Sequence, residues 1–203
     1  CHQMALLFGG INMFNFFKSD INKKRDDNKD IIHKKELDDG SFEKFAVKKF
    51  DEFSNKLEDI DLKYEYDENV VEAGLRKSVN IDELEITIAY NQSLTPISDE
   101  YCDAIHILDK DNKTNLFIHM YADSWESCLN DIFITKISVL LSKEMENNNE
   151  YSLCHFIYTP GKETKLTGYV DLEFLKNAIN YYYDIVYEYV RKNNKNTDDK
   201  IKK

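Results

Sequence analysis

Phe42, Phe45, Ala46, Phe50, Phe53 and Leu57 recur at spacings of three and four, with Lys44, Lys48, Lys49, Asp51, Glu52 and Lys56 between them. That period puts one apolar stripe on a helix and the charges on its opposite face. Ser41 stands at the N-cap position, and Glu43 lies in the first turn, where a carboxylate meets the positive end of the helix. The spacing predicts a helix from Ser41 to about Glu58. From Leu62 the period shortens to two, as in Leu62-Lys63-Tyr64-Glu65-Tyr66. Seven runs read as strands: Leu62–Tyr66, Val71–Val79, Leu84–Tyr90, Ala104–Leu108, Asn115–Tyr121, Ile132–Leu141 and Tyr151–Tyr158. Polar turns separate them, among them Asp67-Glu68-Asn69 and Asp109-Lys110-Asp111-Asn112-Lys113. Short links favour antiparallel neighbours, because parallel pairing needs a long crossover. After Pro160-Gly161 the period returns to 3.6. Leu172, Leu175, Ile179, Tyr182, Val186 and Tyr189 form one stripe, predicting a second helix from about Asp171 to Arg191.

The order defines an α+β fold: an N-terminal helix, a seven-stranded twisted antiparallel sheet and a C-terminal helix, with the helices covering one sheet face. Residues 18–40 are mostly Lys, Asp and Asn, so residues 1–40 are expected to form a flexible arm. Residues 1–12 within it suit the end of a processed leader or an added segment. Residues 41–191 are expected to form a single domain, and residues 192–203 a charged, mobile tail.

Composition sharpens this picture. Twelve Phe and thirteen Tyr supply a bulky core, and six Gly leave little room for phosphate-cradling loops. The net charge of −11 is unevenly spread. Residues 1–40 carry seven basic and seven acidic groups, and residues 191–203 are net positive. The segment between is therefore more acidic than the whole chain. An acidic body repels nucleic-acid phosphates and attracts basic proteins or peptides. No direct nucleic-acid contact and no membrane span are expected, since Met4–Phe8 is far shorter than the roughly 20 apolar residues a span needs. The four cysteines contain no CxxC pair, and free buried thiols fit a chain of this length.

The motifs of nucleotide, α/β-hydrolase and zinc-protease sites are absent. Asp109-Lys110-Asp111 opens like a calcium loop, but Met120 stands where the twelfth-position Glu is required. His106 and His119 face each other if their hairpin centres near Asn112, and His155 or Cys154 would complete a metal site. The bland alternative is a pair of half-buried strand histidines. Cys128 beside Asp131 has no His nearby in sequence to act as a base and reads as a structural thiol. Tyr181 to Tyr189 holds five tyrosines, suited either to core packing or to a subunit interface. Asp99, Glu100 and Asp103, with Glu144, Glu146 and Glu150, form acidic clusters expected to lie in loops and to contact a basic partner.

Several stretches resemble the mitochondrial acidic matrix protein family, also called the mitochondrial glycoprotein family, which includes the complement-subcomponent-binding protein of animals. Glu43–Leu57 is similar to the family's first helix. Val70–Ser93, reading VVEAGLRKSVNIDELEITIAYNQS, is similar to its hairpin of a basic strand followed by an alternating one. Ala104–Tyr121 resembles its strand, charged turn and hydrophobic strand, Asp131–Val139 the strand after it, and Leu172–Val190 its first C-terminal helix. Two features depart from the family. No second C-terminal helix follows Arg191, and the acidic loop is short, around Asp123–Asn130. The resemblance implies a homotrimer in the mitochondrial matrix with a chaperone-like, non-catalytic role in mitochondrial translation or respiration. It implies no cofactor and no catalytic residue. Composition alone equally suits a monomeric acidic inhibitor of a basic enzyme. A third reading is a metal-dependent enzyme built on His106, His119 and His155.

Overall fold

The computed structural model describes residues 40–58, 60, 63–64, 76–93, 101–122, 134–144, 150–162 and 164–201. Helix α1 is Ser41–Glu58, followed by strands β1 (Lys63–Tyr64), β2 (Arg76–Ile81), β3 (Leu84–Ser93) and β4 (Tyr101–Asp109). Then come β5 (Thr114–Ala122), β6 (Ile134–Glu144), β7 (Glu150–Tyr158), β8 (Lys165–Gly168) and helix α2 (Leu172–Ile201). The strands lie side by side in chain order, and every neighbouring pair is antiparallel. The architecture is the expected α+β one, with an antiparallel sheet between an N-terminal and a C-terminal helix.

Turn chemistry sets the register. β2 and β3 are joined by two residues, and Asp82 takes a positive φ of 51°, which Asp tolerates better than most side chains. At the β4–β5 turn, the Asn112 backbone N–H donates to Asp109 Oδ1 over 2.9 Å, and Lys113 takes the left-handed position.

Period-2 alternation sends Ile86, Ile105, Ile107, Leu116, Ile118 and Val139 to the same face, all essentially without solvent exposure. Both helices pack there. Phe42, Phe50 and Phe53 of α1 meet Leu175, Ile179, Tyr182 and Val186 of α2 in one continuous core. The Phe42 ring meets that of Phe156 at a tilt, with centroids 4.5 Å apart, and Phe53 meets Tyr183 edge-on at 5.4 Å. The tyrosine run of α2 therefore serves the helix–helix contact. Tyr182 is buried, Lys49 Nζ lies 4.2 Å over the Tyr183 ring, and Lys56 Nζ lies 5.6 Å over the Tyr187 ring.

Two elements differ from the expectation. β8 is an additional strand. Its four residues carry a single large apolar side chain, Leu166, too little to show a period. Helix α2 continues to Ile201, well past Arg191, so residues 192–201 are helical. That extension is rich in Lys and Asn and has no apolar stripe to announce it. Cys102 and Cys154 are buried, as expected, while Cys1 and Cys128 lie outside the described residues.

Candidate functional site

The sheet face opposite the helices brings the histidines together. Thr87, His106, Phe117, Leu140, His155 and Thr167 follow one another as register partners from β3 to β8. The adjacent row carries Ala89, Ala104, His119, Ser138 and Ile157. His106 and His119 are not directly opposite. His106 pairs with Phe117 and His119 with Ala104, because the β4–β5 register closes at Asp109 and Thr114. They are diagonal neighbours, and long side chains bridge that distance. Their Nε2 atoms stand 2.7 Å apart, so one ring donates its N–H to the bare nitrogen of the other. His119 Nδ1 shares a further hydrogen bond with the Tyr121 hydroxyl at 3.3 Å.

His155 is close but differently engaged. Its Nε2 shares a hydrogen bond with Ser138 Oγ at 2.9 Å. Cys154 points into the core, fully buried opposite Leu141, and cannot reach the histidines. Lys136 Nζ sits 3.7 Å over the Tyr121 ring. Beside this group Ala89, Cys102 and Ala104 form a second small buried cluster, against which Tyr121 packs. Among the described residues no group of three or more His, Cys, Asp or Glu converges to enclose a metal ion.

Burial makes protonation here costly. The His119 imidazole is pushed down to about 4, by burial first and then by the neighbouring His155 and Lys136. His155 is lowered as well, by burial and then by Lys136. Both are therefore uncharged at neutral pH. The unfolded chain, with histidines near 6.5, binds more protons than the folded one as the pH drops below that value. Stability is complete above about pH 6.5 and falls on acidification toward the folded values, by at most about 1.4 kcal/mol per pH unit for each group. Urea unfolding at pH 7.5, 6.5 and 5.5 should show this decline, and it should flatten in the His119→Gln/His155→Gln double variant. An undiminished decline in that variant would place the effect elsewhere.

The predicted acidic contacts divide. Asp99, Glu100 and Glu146 lie outside the described residues. Asp103, expected in an exposed acidic loop, is instead inside β4, and its residue is 7% exposed. Alternation turns it toward the helix side with its register partner Met120, so it offers no contact surface. With Glu58 it helps hold the Tyr90 hydroxyl above its usual range, burial being the main cause. Glu144 and Glu150 are register partners where the β6–β7 connection closes the pair.

Sequence reasoning passed over Asp109 as a failed calcium ligand, and the structure makes it a structural hub. The Tyr182 hydroxyl of α2 donates to Asp109 Oδ2 over 3.1 Å and lies 2.6 Å from Thr114 Oγ1. All three residues are buried. Burial, then the Asp109 charge, raises the Tyr182 hydroxyl far above its ordinary value. A signal was present in the sequence. Asp109 and Asn112 have the spacing of a side-chain-capped turn, and that cap faces the apolar stripe of α2.

The geometry defines a class: among the described residues, an antiparallel meander covered by helices on one side and carrying a mixed histidine and aromatic row on the other. Comparison with family models, curated proteins and solved structures gives no match. No helix among the described residues is long and apolar enough to cross a membrane.

Proposed function

We propose that this protein is an acidic, non-catalytic adaptor of chaperone-like character, which captures basic proteins or peptides and works as a homo-oligomer. The observation that supports it most is the one-sided sheet. Both helices cover one face, and the other presents half-buried Phe117, Leu140 and Ile157 across neighbouring strands. A sheet whose second face is partly apolar is commonly completed by packing against another copy. The net charge of −11 suits a basic partner. The helix–meander–helix order is also the one that the resemblance to mitochondrial acidic matrix proteins calls for. On that resemblance the assembly is a trimer acting in the mitochondrial matrix in support of translation or respiration.

Sedimentation equilibrium at micromolar concentration tests the reading, with three times the chain mass as the expected result. A clean monomer would overturn it and turn attention to a one-to-one acidic inhibitor of a basic enzyme.

A further inference from the structure

On the sheet face that carries Phe117, Leu140 and Ile157, the His106–His119 contact is a side-chain geometry of its own. Two imidazole nitrogens on adjacent strands point at the same spot and share a single proton across 2.7 Å. We propose that His106 and His119 form a two-imidazole chelate for a divalent transition ion of the copper and zinc class, the donating ring shifting its proton from Nε2 to its own Nδ1 so that both Nε2 atoms present lone pairs to the ion. The chelate requires no oligomer and no protein partner, although its two rings lie on the face that the proposed assembly would use.

Imidazole is a preferred ligand for copper, zinc and nickel, and copper(II) leads in affinity for nitrogen donors. With metal–nitrogen bonds of about 2.0–2.1 Å, two tetrahedral ligands stand about 3.3 Å apart. The rings need to separate by roughly half an ångström from their present 2.7 Å, within reach of small side-chain rotations. Their strands are fixed by nine register pairs, so the two donors are held near each other before the ion arrives. The Tyr121 hydroxyl at His119 Nδ1 supplies the outer partner that orients a ligating imidazole.

His155 is not a third ligand, because its Nε2 is directed at Ser138 Oγ. Two protein donors leave the remaining coordination positions to water or to a donor brought by another molecule. Scaling zinc-peptide affinities from four ligands to two gives a dissociation constant of roughly one to a few hundred micromolar. Lys136, held over Tyr121, is the nearby positive group on β6 and weakens the site.

The test uses the full chain and zinc or copper(II) salts alone. An ion that bridges two strands binds the folded state and raises the unfolding midpoint. At one hundred times the dissociation constant the rise should be roughly 5–10 °C. That rise should vanish in His106→Gln and in His119→Gln, persist in His155→Gln, and increase in Lys136→Met. Each is read against the metal-free midpoint of the same variant. A second measurement on the unaltered chain needs no variant to fold. Substoichiometric copper(II) should broaden the NMR signals of the His106 and His119 rings before those of any other histidine, the nearby His155 included. A midpoint unmoved by either metal, a rise that survives the double His106→Gln/His119→Gln variant, or broadening confined to other histidines would overturn the proposal.

Discussion

Replacing Gly168 with alanine should cost roughly 3–5 kcal/mol and lower the thermal midpoint by about 10 °C or more. Gly168 ends β8 at a φ of +122°, a conformation that side chains rarely adopt. A Cβ there would stand 2.4 Å from the Leu153 carbonyl oxygen and 2.8 Å from Cys154 Cα. Those are backbone atoms of β7, which cannot swing aside as the tip of a flexible side chain can. The same stretch is pinned further, because the Tyr169 and Val170 N–H groups both donate to that Leu153 carbonyl. Steric overlap and backbone strain therefore add. Gly161 provides the control. It also has a positive φ, of +73°, but a Cβ would meet nothing within 4 Å. Gly161→Ala carries strain alone and should cost about 1 kcal/mol. Thermal unfolding of both variants decides the matter. Equal, small losses would show that β7 yields where the geometry makes it rigid.

The second large effect belongs to Tyr182. Tyr182→Phe keeps the ring and its packing and removes a hydroxyl that touches both Asp109 and Thr114. The Asp109 residue is 2% exposed, so the lost donor is not replaced by bulk water. A hydrogen bond to a charged group contributes about 1.5–3 kcal/mol, and the change should cost about that much. Tyr187→Phe, on the next turns of the same helix, should change stability by less than about 0.5 kcal/mol, because Tyr187 is 43% exposed. Urea midpoints of the two variants make the comparison. A Tyr182→Phe loss no greater than that of Tyr187→Phe would mean that α2 is held by apolar packing alone.

The elements with a strong period were legible in the chain. The Phe stripe of α1 and the alternation around Ile86, Ile88, Ile105 and Ile107 specify which face is buried, and the structure buries it. β8 was not legible, because four residues fall below the length at which alternation can be recognised. The far end of α2 was not legible either, since Lys192, Asn193 and Asn194 have no buried face to reveal a helical period. The histidine pair was half legible. A hairpin centred near Asn112 brings His106 and His119 together, but their diagonal offset depends on the turn register, which Asp109 and Thr114 set. Asp103 and Asp109 show the limit of reading charge as exposure. Both are acidic, both stand beside turns or loops in the sequence, and both are buried.

The meander lets each strand join its predecessor as soon as it is made, so no strand waits for a distant partner. The apolar side of the sheet has a different timetable. α1 supplies one half of its cover at the start of the domain, and the other half, carried by Leu175, Ile179, Tyr182 and Val186, comes at the end. A chain still leaving the ribosome therefore holds a paired but half-roofed sheet until its last helix emerges. Premature termination before Leu172 would strand the molecule in that greasy, sticky condition, and the thirty residues of α2 act as the latch that closes it.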